Sequence, residues 1–307
     1  MRLDRLIGNE RLKTALAPFF RENFPQSVIL EGPSGIGKKT AAFEIAENLL
    51  CTGANPPCGV CGACVRMRSG SHPDYHLFNA EAELIRVNDV REIRRQSFIR
   101  PSEAAQKVFI INEAHRMNPQ AQNALLKVLE EPQETIFILL CVQAGQLLQT
   151  VRSRCVRFAM EELSEEQIKA QLKLRCPEKT DGEIGSAVLH SRGLLGRGLE
   201  WLSGEAPKAE LLAEEWNAAL GQSEWKTLEV CMKAAALSRE EFGAFCESGC
   251  LELWQRARAN PGESWPQELY ETLYALARQA ENNGSVSAMN GALAAKCGQL
   301  LFAANDR

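Results

Sequence analysis

Residues 32–40 read Gly32-Pro33-Ser34-Gly35-Ile36-Gly37-Lys38-Lys39-Thr40. The apolar run Ser27-Val-Ile-Leu-Glu31 precedes them, and Thr40-Ala-Ala-Phe-Glu-Ile-Ala-Glu-Asn-Leu-Leu50 follows. Strand, glycine-rich turn, lysine and helix in that order make a phosphate-binding loop. Backbone N–H groups wrap the phosphates, the lysine reaches the outer ones, and a hydroxyl after the lysine holds Mg²⁺. Gly32, Gly35, Gly37 and Lys38 are in place, but the hydroxyl position holds Lys39. Thr40 comes one residue late, about 100° further round a helix of about 3.6 residues per turn. It is expected to point away from the ion.

A second apolar run, Lys107-Val-Phe-Ile-Ile-Asn112-Glu113-Ala-His115, carries a matching defect. In phosphate-loop ATPases an acid pair ends this strand. The first carboxylate holds Mg²⁺ and the second orients or deprotonates the attacking water. Here the first position is Asn112, whose uncharged amide holds a divalent cation weakly, while Glu113 survives as the vestige of the pair. Both changes weaken the same ion, on which phosphoryl transfer depends. His115 reads as a packing residue beside an incomplete site.

Cys51, Cys58, Cys61 and Cys64 follow C-x₆-C-x₂-C-x₂-C, interleaved with Pro56, Pro57, Gly59 and Gly62. Four thiolates on a turn-rich segment suit a closed, tetrahedral, structural Zn²⁺ site that staples a loop too polar to build its own core. Unliganded thiols, disulfides or an iron–sulfur cluster are the alternatives. His72, shortly after them, reads as a turn residue. Most of Cys141, Cys155, Cys176, Cys231, Cys246, Cys250 and Cys297 read as small apolar core residues.

The chain has 307 residues, 45% hydrophobic and 24% charged, with a formal net charge of −4. No stretch approaches the roughly 20 apolar residues of a membrane span. The start, Met1-Arg-Leu-Asp-Arg-Leu-Ile-Gly, lacks the apolar segment of a signal peptide. Reduced cysteines point to the cytoplasm. The acidic balance argues against a dedicated duplex-DNA binder. Arg86, Arg91, Arg94, Arg95 and Arg100 read as a solvated helix face.

Apolar strands at Ser27–Glu31, near Tyr75–Ala80, and at Val108–Ile111, Ile136–Val142 and Cys155–Phe158 alternate with helices at Glu10–Phe20, Val87–Ile99 and Pro119–Leu129. That alternation predicts an α/β domain over 1–160, a parallel sheet covered on both faces, with its site at the carboxyl ends of the strands. The strands then stop. Ser164 and Gln167 form a capping box that opens short helices over 161–205. The remainder, 206–307, reads all-α, broken at Asn260-Pro-Gly-Glu and Asn282-Asn-Gly-Ser, with Trp201, Trp216, Trp225, Trp254 and Trp265 as apolar anchors.

Four further segments complete a pattern: Ile7-Gly8-Asn9-Glu10, Leu125-Leu126-Lys127-Val-Leu-Glu130-Glu131-Pro132, Val151-Arg152-Ser153-Arg154-Cys155 and Gly193-Leu-Leu-Gly196-Arg197. Together with the cysteine module, they resemble the AAA+ subunits of bacterial DNA polymerase III clamp loaders, and the altered metal positions bring the delta-prime type nearest. The specific motifs cover about residues 1–200. The resemblance implies an AAA+ domain, a small helical lid over 161–205 and an oligomerising helical collar over 206–307. It implies that Arg154, in the S-R-C motif, reaches in trans into a neighbour's ATP site. It implies that Arg197 is the sensor arginine, and that ATP or ADP, where held at all, meets Gly32, Gly35, Gly37, Lys38, Lys39 and Thr40. Position 142, where active relatives carry a polar sensor, is Val142. The implied partners are gamma/tau-like and delta-like subunits in a five-membered ring, a sliding clamp, and primed DNA met through the assembly.

Three functions follow. The leading one is a largely non-hydrolysing subunit that supplies Arg154 to a neighbour. An ATP-hydrolysing gamma/tau-like motor is the enzyme alternative, kept alive by the intact loop glycines, Lys38 and Glu113. A nucleic-acid-binding zinc finger on an inert scaffold is the third, and the lack of aromatic–basic interleaving around Cys51–Cys64 counts against it.

Overall fold

A computed structural model describes all residues except 1, 22, 80, 82, 83, 131–133, 221, 260, 261, 282, 283 and 303–307. The chain divides into two compact units, Met1–Leu199 and Glu200–Arg307. The first runs α1 (Glu10–Arg21), β1 (Ser27–Glu31), α2 (Lys38–Leu50), α3 (Gly62–Arg68), β2 (Tyr75–Phe78), α4 (Val87–Ser97), β3 (Lys107–Ile111) and α5 (Pro119–Glu130). It continues with β4 (Thr135–Cys141), α6 (Gln149–Arg152), β5 (Val156–Ala159), α7 (Glu165–Arg175), α8 (Asp181–Ser191) and the start of α9 (Leu195–Ser203).

The five strands form one parallel sheet in the order β2-β3-β4-β1-β5. Side chains alternate across a strand, and the burial follows. Val28, Leu30, Val108, Ile110, Ile138 and Leu140 pack with Leu12, Ile45 and Ala46 of α1 and α2. Ile29, Phe109, Ile111, Phe137 and Leu139 pack with Val90, Ile93, Leu125 and Val128 of α4 and α5. Both faces are therefore covered, which is why these strands read as unbroken apolar runs. The strand ends shift by a residue or two from expectation. Ala80 lies outside the described residues, as do Glu131 and Pro132.

Ser164 accepts from the Gln167 N–H while the Gln167 side chain accepts from the Ser164 N–H, so α7 opens on the expected capping box. Thr180 and Glu183 repeat the device at α8.

The second unit is helical: α10 (Lys208–Ala219), α11 (Glu224–Ala234), α12 (Arg239–Ala259), α13 (Trp265–Glu281) and α14 (Val286–Cys297). Trp216, Phe242, Phe245, Leu253 and Leu273 fill its core. The expectation for the tryptophans needs correction. Trp216 is fully buried and Trp201 nearly so, but Trp225 is 84% exposed and Trp254 49%. On α11 the core face is Thr227, Val230, Cys231 and Ala234, and a 100° step per residue puts Trp225 on the opposite side. On α12 Leu253 takes the core position, and Arg258 lies over the Trp254 ring, 4.7 Å from its centroid. Asn260 and Asn282, in the two expected breaks, lie outside the described residues. Among those described, no helix is long and apolar enough to cross a membrane.

Candidate functional site

The phosphate-type loop leaves the end of β1 and enters α2. Gly35 and Gly37 take φ of +83° and +101°, a left-handed region that glycine enters without steric cost. Lys38 is buried, and its ammonium donates to the carbonyl oxygens of Gly32 (2.6 Å) and Pro33 (2.9 Å). Burial lowers its pKa, against the pull of Glu113 and Cys141. The lysine that would hold phosphate is spent on its own loop.

The start of α9 rests directly on that loop. The Gly196 N–H donates to Gly35 O at 3.3 Å, and a Cβ at Gly196 would sit 3.2 Å from both Cα and O of Gly35. Arg197 reaches the same place, with its Cγ 3.7 Å from where a Cβ on Gly35 would lie. The cavity left between the loop, Leu6, Ile7, Leu163, Leu195 and Leu199 is about 170 Å³. That is below the roughly 300 Å³ at which small-molecule sites begin.

Asn112 follows β3, buried, with its amide nitrogen and main-chain carbonyl engaged. Its Nδ2 donates to Asn79 O (3.0 Å), and Asn79 Nδ2 donates back to Asn112 O (3.1 Å). The position expected to hold Mg²⁺ weakly is thus tied to the backbone at the end of β2. Glu113 sits beside it with φ +50°, its carboxylate 3.4 Å from His115 Nε2. Burial holds the His115 pKa low despite Glu113, so at neutral pH the contact is to a neutral imidazole. Val142 follows the end of β4. Glu31, at the end of β1, accepts from the Ala144 N–H (2.9 Å) and pairs with Arg157 of β5 (2.7 Å).

Arg154, between α6 and β5, donates to Thr150 O (2.9 Å) and pairs with Glu130 at the end of α5. Its side chain stays 35% exposed. Lys39 and Thr40 are exposed in the first turn of α2. Lys39 lines a groove with Arg5, Phe43, Tyr75 and Arg175, while Thr40 lines both that groove and the cavity beside Gly35 and Gly37.

The four cysteines come together as their spacing predicts: all four Sγ atoms lie within 4.8 Å of one another. Cys51 and Cys61 Sγ are 3.9 Å apart, and a tetrahedral zinc with ~2.3 Å Zn–S bonds separates its sulfurs by about 3.8 Å. Backbone N–H groups of Gly53 and Cys58 donate to Cys51, that of Cys61 to Cys58, and that of Cys64 to Cys61. Donors aimed at sulfur favour thiolate. The N–H groups of Val60 and Cys61 lower the Cys58 pKa. Burial opposes ionisation of Cys61, but the Cys64 N–H and Thr52 outweigh it and bring it to about 5. Burial pushes Cys64 up to about 12. The geometry and the donor set fit a divalent metal held by four sulfurs.

His72 opens a turn, as expected: its carbonyl accepts from the Tyr75 N–H (3.2 Å), and its buried Nδ1 accepts from the Asp74 N–H. Asp74, fully buried, accepts from the N–H groups of Ser102, Glu103 and Ala104. Asn79, Asp74 and Glu31 were not singled out from sequence. Their partners are distant in the chain, and only the β2–β3 and β1–β5 pairings bring them together.

A profile of the family described as DNA polymerase III, delta subunit, matches residues 9–164. DNA polymerase III subunit delta-prime of Pseudomonas aeruginosa is 33% identical over 220 residues, covering 64% of this chain and 67% of that one. Subunit tau of Bacillus subtilis is 34% identical over 190 residues, 60% of this chain and 34% of tau. Subunit delta-prime of Bacillus subtilis is 32% identical over 154 residues, 50% of this chain and 47% of that one. The match thus spans less than half the length of either Bacillus relative.

Proposed function

The chain belongs to the DNA polymerase III delta-subunit family, and from that premise we propose that it is a delta-prime-like clamp-loader subunit that hydrolyses little or no ATP itself. It takes its place in a five-membered ring with gamma/tau-like and delta-like subunits that loads a sliding clamp on primed DNA. Residues 161–205 act as the lid and 206–307 as the collar. The observation that carries the reading is the state of the two metal positions. Lys39 replaces the hydroxyl, and Asn112 is committed to Asn79. Lys38 is turned onto Gly32 and Pro33, and neither metal position offers the hydroxyl or carboxylate that would hold the cation on which phosphoryl transfer depends.

What the chain retains is Arg154, a half-exposed guanidinium on the shoulder of the sheet. In a neighbour's active site it stabilises charge on the transferring phosphoryl group, a role worth about 10³–10⁵ in rate in phosphate-loop enzymes. Cys51, Cys58, Cys61 and Cys64 hold a structural zinc, which cross-links the loop between α2 and β2 and takes no part in chemistry.

The second reading, a gamma/tau-like motor, draws on the tau relative, which is as similar in sequence as the delta-prime ones. One experiment separates them: ATP turnover by the chain alone, then with motor subunits, clamp and primed DNA. Silence alone, with stimulation on mixing that Arg154→Ala removes, supports the first reading. Turnover alone that Lys38→Ala abolishes establishes the motor.

A further inference from the structure

The four-cysteine module reaches the N-terminal segment through α2. Glu44, Glu47 and Asn48 are buried on that helix, and their i, i+3, i+4 spacing puts them on one face. Glu44 accepts from the main-chain N–H groups of Arg5 (2.6 Å) and Leu6 (2.9 Å). Asn48 accepts from the Arg2 N–H (3.2 Å) and donates to Arg2 O (2.7 Å). Residues 2–6 therefore lie as a strap on α2, with Leu3 and Leu6 packed into the core. Arg5, Leu6 and Ile7 also wall the loop's cavity, together with Gly35 and Gly37.

Glu47 stands between the strap and the module. Its carboxylate has Arg68 Nε at 3.2 Å and Arg5 Nη2 at 3.9 Å. A carboxylate so buried needs partners, because desolvation is otherwise uncompensated. Arg68 ends α3, and its Nη1 donates to Gly59 O (3.3 Å), between Cys58 and Cys61. A Cβ on Gly59 would stand 2.9 Å from Arg68 Nη2. The guanidinium is thus lodged against the segment that the sulfurs fold. Arg66, two residues earlier, goes elsewhere and pairs with Glu103.

We propose that the metal centre latches the strap. Four bound sulfurs keep Gly59 against Arg68, Arg68 neutralises Glu47, and the compensated Glu47 keeps water from the seam between the strap and α2. Without metal the 51–61 segment opens, and Arg68 loses its seat. The buried carboxylate is then left to Arg5 alone, at 3.9 Å. Water enters beside α2, and the strap lifts from the loop's cavity. The latch rests on the zinc held by Cys51, Cys58, Cys61 and Cys64 as proposed above, and not on any partner subunit.

The test is amide hydrogen exchange on the full-length chain, with zinc content measured beside it. Chelation and Arg68→Ala should each speed exchange of the Arg5 and Leu6 amides about tenfold, the scale of one charge-assisted hydrogen bond. The Val28–Leu30 amides of β1 should stay protected. Arg66→Ala, which cuts the tie to Glu103, should leave the strap unmoved. In Glu47→Gln the link is cut, so chelation should no longer change exchange at Arg5 and Leu6. Strap amides that ignore chelation or Arg68→Ala, or that still respond to chelation in Glu47→Gln, overturn the latch alone. So does equal loosening in Arg66→Ala, or β1 loosening as much as the strap. A purified chain without metal overturns the zinc assignment and the latch together.

Discussion

Asn79 and Asn112 exchange hydrogen bonds across the carboxyl ends of β2 and β3, each side-chain amide donating to the other's main-chain carbonyl. An aspartate at 112 cannot donate, and its charge would face the Asn79 carbonyl. The residue that stands where a metal-binding carboxylate was expected therefore also forms a structural tie.

Asn112→Asp should destabilise the chain by about 1–3 kcal/mol, the cost of a lost buried hydrogen bond plus an unsatisfied partner. It should not restore ATP turnover while Lys39 stays. Urea unfolding and a phosphate-release assay check both parts. An Asn112→Asp chain as stable as the parent would show that the exchange of hydrogen bonds contributes little.

On the function proposed above, Arg154 must leave Glu130 before it can reach a neighbour's phosphate. Both side chains are partly exposed, 35% and 48%, and such pairs are worth at most about 1 kcal/mol. Glu130→Ala should raise the ATPase of the assembled loader by up to about fivefold, and Arg154→Ala should nearly abolish it. Neither should shift the melting temperature noticeably. Steady-state turnover of the reconstituted complex reads the difference, and a fall in Glu130→Ala would mean that Glu130 orients the finger.

Metal analysis of the purified chain should find about one zinc per molecule. Chelation, or Cys58→Ser, should release it and lower the melting temperature by several degrees, because structural zinc binding is folding free energy. A chain free of metal and unchanged by chelator would refute the zinc site.

Asp74 carries a sign-definite pH dependence. Burial raises its pKa, but the N–H groups of Ala104, Ser102 and Glu103 win, and the net shift is downward. Its contribution is therefore complete above the ordinary aspartate value and is lost as pH falls through the lowered folded-state value. Asp74→Asn should cost about 2–4 kcal/mol at neutral pH and flatten the acid limb of the stability curve. Denaturant midpoints from neutral pH down to the acid transition would show whether the two curves converge there.

The sheet was legible because strands buried on both faces must be apolar throughout, and Ser27–Glu31 and Lys107–Ile111 are nearly so. The loop and the cysteine module were legible because both chemistries need fixed residue types at fixed spacing. The Asn79–Asn112 exchange was not, since it depends on β2 lying beside β3 and on Asn79 taking φ +56°. Nor was the inward turn of Lys38, which only the packed loop dictates. The exposure of Trp225 was legible in the periodicity: Val230, Cys231 and Ala234 define the core side of its helix and leave it opposite, whatever its size.

Gly35 and Gly196 meet backbone to backbone, with no side chain between the loop and the start of α9. Side chains can absorb small displacements by changing rotamer; two peptide planes in contact cannot. Any force that tilts α9 is therefore delivered undamped to the loop, and the loop cannot widen unless α9 lifts. The pair works as a bolt rather than a spring, and a methyl at position 196, 3.2 Å from the Gly35 backbone, would push the loop and the helix apart by a few tenths of an ångström.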